Sequence, residues 1–146
     1  MVKRTRFDDE SCPVARSVDA VGDWWSLLIV RDAFDGSRRF GDFQRSLGVA
    51  KNILSARLRS LVDQGILETV PAGARHEYVL TAKGEALFPV IVALRQWGEA
   101  FAFEPGEPHS HLLDRRDQQP LRPLEVRAAD GRLVAPADTE VHKLVS

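Results

Sequence analysis

Between Phe40 and Leu80 the apolar residues change their spacing in a fixed order, and that order restricts the fold more than any other property of the chain. Phe40, Phe43 and Leu47 fall at i, i+3, i+7, with Arg39, Asp42, Gln44 and Arg45 outside them. That is the stripe of a short amphipathic helix over 39–47. Gly48 supplies a turn. A longer helix then runs from about Ala50 to Gln64, with Ile53 or Leu54, Leu58, Leu61 and Val62 on its core face. Its polar face holds Lys51, Asn52, Ser55, Arg57 and Arg59, and Gly65 stands where a helix stops. After Gly65 the helical period ends. Ile66–Val70 and His76–Leu80 are β-rich runs on either side of Pro71-Ala72-Gly73-Ala74, which reads as a hairpin.

The flanking segments complete the pattern. Pro13 can open a helix carrying Val14, Val18 and Val21, and Gly22 interrupts it. Asp23 can cap a second helix, apolar enough to belong in a core, which the turn Asp35-Gly36-Ser37 ends. Within it Trp24, Leu27, Leu28 and Arg31 share a face, and Arg31 is expected in a structural ion pair. After the hairpin, Thr81 can cap a long helix that Pro89 should bend or break near Glu85–Ala86. Helix, helix, short helix, tight turn, basic helix and hairpin, in that order, make a winged helix-turn-helix. The fold class is mainly α with a small β-hairpin wing (α+β), followed by a long C-terminal helix. The expected organisation is a mobile N-terminal arm over 1–10, the winged domain over 11–104, and a Pro-rich extension over 105–146. Five of the eight prolines lie in that extension, and Leu124–Ala135 reads as a small hairpin.

Charge adds a function to the shape. The chain of 146 residues has a formal net charge of −1, yet 37–60 holds Arg38, Arg39, Arg45, Lys51, Arg57 and Arg59 against Asp42 alone. A stripe of +5 in an otherwise slightly acidic chain is the footprint of a phosphate contact or of a solvated helix face, and charge alone leaves both open. The helix 50–64 can project its first turns into a major groove, where the small or polar Ala50, Lys51, Asn52 and Ser55 permit close approach to base edges. Asn52 suits an adenine edge, and Lys51 or Arg57 suits guanine or phosphate. Arg57 and Arg59 point about 200° apart at 100° per residue, and Arg57 is the one expected to reach DNA. Arg38, Arg39 and, at the wing, Arg75 are expected on the phosphate backbone.

At this point a family becomes recognisable. The blocks Cys12-Pro13-Val14-Ala15, Gly22-Asp23-Trp24-Trp25-Ser26-Leu27-Leu28-Ile29, Arg38-Arg39-Phe40, Leu54-Ser55-Ala56-Arg57-Leu58-Arg59-Ser60-Leu61, Glu77-Tyr78-Val79-Leu80-Thr81-Ala82-Lys83-Gly84 and Trp97-Gly98 resemble the HxlR-type bacterial transcriptional regulators. They cover roughly 12–101 in the family's order. The resemblance implies a homodimer built from the N-terminal helix and helix 82–103, an inverted-repeat operator on double-stranded DNA, and no enzymatic chemistry. It also implies a redox role for Cys12, because some relatives sense oxidants or electrophiles through a cysteine at that place; the alternative for Cys12 is simple packing. A small-molecule effector is the other option. The wing loop is short, so its reach rests mainly on Arg75.

No metal or other cofactor is expected. A weakly similar C-terminal hairpin carries paired cysteines in some relatives, and here they are absent. His109 and His111, near Asp114, lack a third well-spaced ligand and read as a solvated loop. Trp24, Trp25, Phe34, Trp97, Phe101 and Phe103 read as core or dimer interface before they read as a ligand pocket. There is no Ser/His/Asp arrangement, Gly-rich phosphate loop or paired-carboxylate site. A single cysteine, no apolar run near the ~20 residues that span a bilayer and no signal-peptide h-region point to the cytoplasm. The competing class is a winged-helix module that uses the same surfaces for protein contacts.

Overall fold

The computed structural model describes residues 11–144, so the arm expected over 1–10 lies outside the described residues. The chain divides into two units, one holding the residues up to Phe88 with those from Lys143, the other Pro89–His142. Among the described residues no helix is long and apolar enough to cross a membrane.

In the first unit the element order is α1 (Pro13–Val21), α2 (Trp24–Phe34), α3 (Phe40–Leu47), α4 (Lys51–Asp63), β1 (Leu67–Ala72), β2 (Arg75–Leu80) and α5 (Ala82–Glu85). The local signals explain most boundaries. Pro13 opens α1, where its missing N–H costs nothing. Asp23 accepts the Ser26 amide at 2.8 Å and caps α2. Gly48, at φ 63°, closes α3 in the left-handed conformation that glycine adopts without steric cost. The core is built from Ile29 and Val30 of α2, Phe43 of α3, Leu54, Leu58 and Leu61 of α4, and Ile66 and Leu67. Leu54, rather than Ile53, therefore faces inward, and Ile53 is exposed.

Two expectations for this unit change. Trp24, expected in the core or at a dimer interface, is not in the core: it is 76% exposed, and Ser26 and Asp32 are buried on α2. Asp32 is met by Arg31, whose Nε and Nη2 donate to Oδ1 at 3.0 and 2.9 Å, the ion pair expected of Arg31. The hairpin is also longer than the sequence suggested. Pro71 and Ala72 belong to β1, opposite His76 and Arg75, and only Gly73-Ala74 form the loop. A two-stranded sheet has only edge strands, so Pro71 removes no ladder bond it was obliged to make. Gly73, at φ 66°, supplies the positive φ that a two-residue hairpin loop needs.

The second unit is organised by α6 (Phe88–Phe101), whose first turn holds Pro89. The break expected near Glu85–Ala86 falls just after α5, and α6 begins where a proline is tolerated. The Pro-rich extension packs on α6. Gln96 Nε2 donates to the Arg122 carbonyl at 3.1 Å, and Gln96 Oε1 accepts the Leu124 amide at 2.7 Å. The small hairpin expected at 124–135 is reduced to one bridge, Arg127↔Leu133. Val126 and Leu133 are 70% and 60% exposed, so no apolar cover extends the pairing.

Candidate nucleic-acid interface

The candidate surface lies wholly in the first unit and starts at α4. Lys51, Asn52, Ser55 and Arg59 are exposed along one side of it, while Leu54, Leu58 and Leu61 are buried on the other. Ala50 stands at the cap without a side-chain acceptor, so the amides of the first turn keep their donors, at the positive end of the helix dipole. Arg57 behaves differently from its neighbours. Its Nε lies 3.6 Å from Asp23 Oδ1, and its side chain is about one-third exposed. This contact joins α4 to the start of α2. At 100° per residue Lys51, Ser55 and Arg59 form one stripe, and Arg57 lies far from it. The exposed stripe thus includes Arg59, while Arg57, the one expected to reach DNA, is paired with Asp23.

A second group forms where the start of α3 meets the wing. The Tyr78 amide donates to the Arg38 carbonyl at 2.7 Å, fixing β2 against the segment that leads into α3. Glu77 on β2 draws both arginines to it, with Arg38 Nε at 3.2 Å and Arg39 Nε at 3.6 Å. Both arginine side chains keep most of their surface in solvent, 53% and 68%. Glu77 was not legible as a site residue, because nothing local marks a carboxylate that two distant arginines share. Beside this cluster Arg39, Phe40, Gly41, Ala72, Arg75 and His76 border a groove of about 590 Å³. Lys51, Arg59 and Arg75 make no ion pair among the described residues, so their charge stays available.

Asp42 holds the start of α3. Its Oδ2 accepts the Arg39 amide at 3.1 Å and the Arg38 amide at 3.3 Å, and Arg45 Nη2 donates to Oδ1 at 2.7 Å. The Arg39 amide, then the Arg38 amide, with the charges of Arg45 and Arg39 behind them, keep its carboxyl below the ordinary 3.8. The folded carboxyl is the stronger acid, so its contribution is fully present at neutral pH. It is lost as pH falls through 3.8 toward the folded value. Asp42→Asn is therefore expected to be less stable than the parent at pH 7, with the gap narrowing below about pH 4. Urea melts across that range check it, and a gap independent of pH overturns the assignment.

A family model described as HxlR-like helix-turn-helix matches residues 20–105. The chain belongs to the HxlR-like helix-turn-helix family. Members of this family are transcriptional regulators and not enzymes. Among curated proteins the chain is similar to Rv3095 of Mycobacterium tuberculosis, an uncharacterized HTH-type transcriptional regulator, at 47% identity over 106 residues. That match covers 70% of this chain and 66% of the relative, just under two thirds of its length. Among solved structures, PA1607, a candidate transcription factor, is 57% identical with a TM-score of 0.90, covering 92% of this chain and 96% of that one. The redox regulator HypR in its oxidized form is 30% identical with a TM-score of 0.57, covering 61% of this chain and 96% of that one. The HxlR-like match takes in α2 to α6, so it includes the exposed stripe of α4, the wing and the Arg38–Glu77 cluster.

Proposed function

We propose that this HxlR-like protein is a sequence-specific DNA-binding transcriptional regulator that acts as a homodimer on an inverted-repeat operator. The observation that carries the reading is the exposed polar stripe of α4, opened by an uncapped basic first turn and set beside a wing that ends at Arg75. Asn52 and Lys51 read base edges, with Ala50 and Ser55 allowing the approach. Arg38, Arg39, Arg59 and Arg75 meet phosphates. Arg57, held on Asp23, sets the angle of α4 and reaches DNA only through the helix it positions.

Homodimerisation through α1 and α6 is supported by apolar side chains that each helix leaves in solvent. On α1 these are Val14 and Val18; on α6 they are Leu94, Trp97 and Phe101, with Trp97 and Phe101 packed ring to ring at 5.5 Å. Two α4 helices related by a two-fold axis enter successive major grooves about 34 Å apart, so the operator is an inverted repeat.

The test is a selection from random duplexes with the purified, reduced protein. An inverted repeat with half-sites near one helical turn is expected. On that operator Asn52→Ala costs about 1–3 kcal/mol while random-duplex binding is unchanged. Arg75→Ala weakens both alike and flattens the salt dependence. No enriched site, with a main partner whose binding is insensitive to salt, overturns the reading in favour of a protein-binding module.

A thiol response is part of the same proposal. Cys12 is exposed at the start of α1, and HypR, a solved structure 30% identical to this chain, is a redox regulator. Mild oxidation is expected to change operator affinity in the parent and to leave Cys12→Ser unaffected.

A further inference from the structure

The second unit brings together three side chains that the sequence scatters. Arg95 and Glu99 stand one turn apart on the same side of α6. Arg95 Nη1 donates to the Ser110 hydroxyl at 3.0 Å and to its carbonyl at 3.3 Å. The middle residue of His109-Ser110-His111 is thereby clamped to the helix, and the two imidazoles flank the clamp with ring centroids 4.6 Å apart. Phe103 packs against the His109 ring at 5.0 Å. One nitrogen or oxygen of each of Glu99, His109 and His111 lies within 4.8 Å of the other two.

The hydrogen bonding of His109 sets which ring nitrogen faces Glu99. Its Nδ1 lies 2.8 Å from the Ser110 carbonyl oxygen, which can only accept, so Nδ1 carries the proton and donates. In the neutral ring Nε2 then holds a lone pair, and it stands 3.9 Å from Glu99 Oε2. That separation is too long for a hydrogen bond between them. Two acceptors facing each other across such a gap are stabilised by a cation between them. A backbone carbonyl that takes the Nδ1 proton is also the outer partner that orients metal-binding histidines.

We propose that Glu99, His109 and His111 bind one divalent transition-metal ion of the Zn²⁺ class. Two imidazoles and a carboxylate, with no thiolate, suit Zn²⁺, Ni²⁺ or Co²⁺ and disfavour the hard ions Mg²⁺ and Ca²⁺. Tetrahedral bonds of about 2.0–2.1 Å place ligand atoms about 3.4 Å apart. The atoms lie within 4.8 Å of one another, so binding draws the three side chains together. Three protein ligands leave a fourth position for water or an external donor. Glu99 and His111 also border a cavity of about 460 Å³, which gives the ion a way in. Arg95 is the cation nearest in sequence on that helix face, and its guanidinium is engaged by Ser110. Bound metal would pin the extension to α6.

The full-length protein, stripped with a chelator, is titrated with Zn²⁺ by calorimetry and with Co²⁺ by visible absorption. One ion per chain is expected, together with the intense visible bands of four-coordinate Co²⁺ and a rise in melting temperature with Zn²⁺. Glu99→Gln, His109→Gln and His111→Gln each weaken binding by at least about tenfold, the least that loss of even an outer partner costs. His142→Gln, whose imidazole faces Glu140 outside the cluster, binds as the parent does. Melting in chelator separates a folding defect from a lost ligand, because a variant that melts like the metal-free parent but gains nothing from Zn²⁺ has lost only the ion. No saturable binding, or binding that all three substitutions leave unchanged, overturns the proposal.

Discussion

Phe43→Ala is expected to destabilise the first unit by about 3–5 kcal/mol, a large fraction of the roughly 5–15 kcal/mol that commonly holds a domain folded. Phe43 has no exposed surface, and it meets Tyr78 of the wing edge-on, with ring centroids 6.3 Å apart and planes at 82°. It sits on α3, which contacts both α2 and α4. The substitution therefore leaves a cavity where α3, α4 and the hairpin converge. Urea unfolding followed by tryptophan fluorescence measures it. Phe43→Leu, which keeps most of the volume, should cost about 1.5 kcal/mol or less. A loss under about 1 kcal/mol for Phe43→Ala would show that the site collapses around the gap and that α4 is oriented by other contacts.

Gly84→Ala is the second large effect, about 2–3 kcal/mol, and it arises from overpacking. Gly84 is buried in α5, and a Cβ there would run into the Ile66 carbonyl oxygen and press on Leu80 Cδ2 at 3.0 Å. The same corner is tied by Thr81, whose hydroxyl accepts the Gly84 amide at 3.1 Å and donates to the carbonyls of Gly65 and Ile66. Neither the carbonyl nor the helix can retreat without breaking that set. Thermal melts of Gly84→Ala beside Gly84→Ser read the cost, and both should fall well below the parent. A melting temperature equal to the parent's would mean that α5 shifts freely against the end of α4.

The elements themselves were legible because their causes are local. The stripe Phe40, Phe43, Leu47 and the glycine at 48 mark α3, and Asp23 and Thr81 cap where capping residues should. The end of β1 was less legible. Pro71 argued for a loop, and only the pairing of Pro71 with His76 shows that an edge strand absorbs it. The exposure of Trp24 was not legible for a related reason: an apolar helix has more hydrophobic surface than one core can cover, and periodicity does not say which part is left over. The candidate site divides in the same way. Asn52, Lys51 and Ser55 could be placed by helical angle, whereas the pairing of Arg57 depends on Asp23, the cap of another helix.

By itself, then, the sequence determined the kind and order of the elements, the basic stripe and the family, since period, caps and turn residues act over a few positions. Only the tertiary structure decided which charges are shared. Arg38 finds Glu77 across 39 residues, and Glu99 becomes the third member of a histidine cluster that looked incomplete in the chain. Side chains far apart in sequence meet only when packed elements bring them together, and a one-dimensional pattern carries no record of that distance.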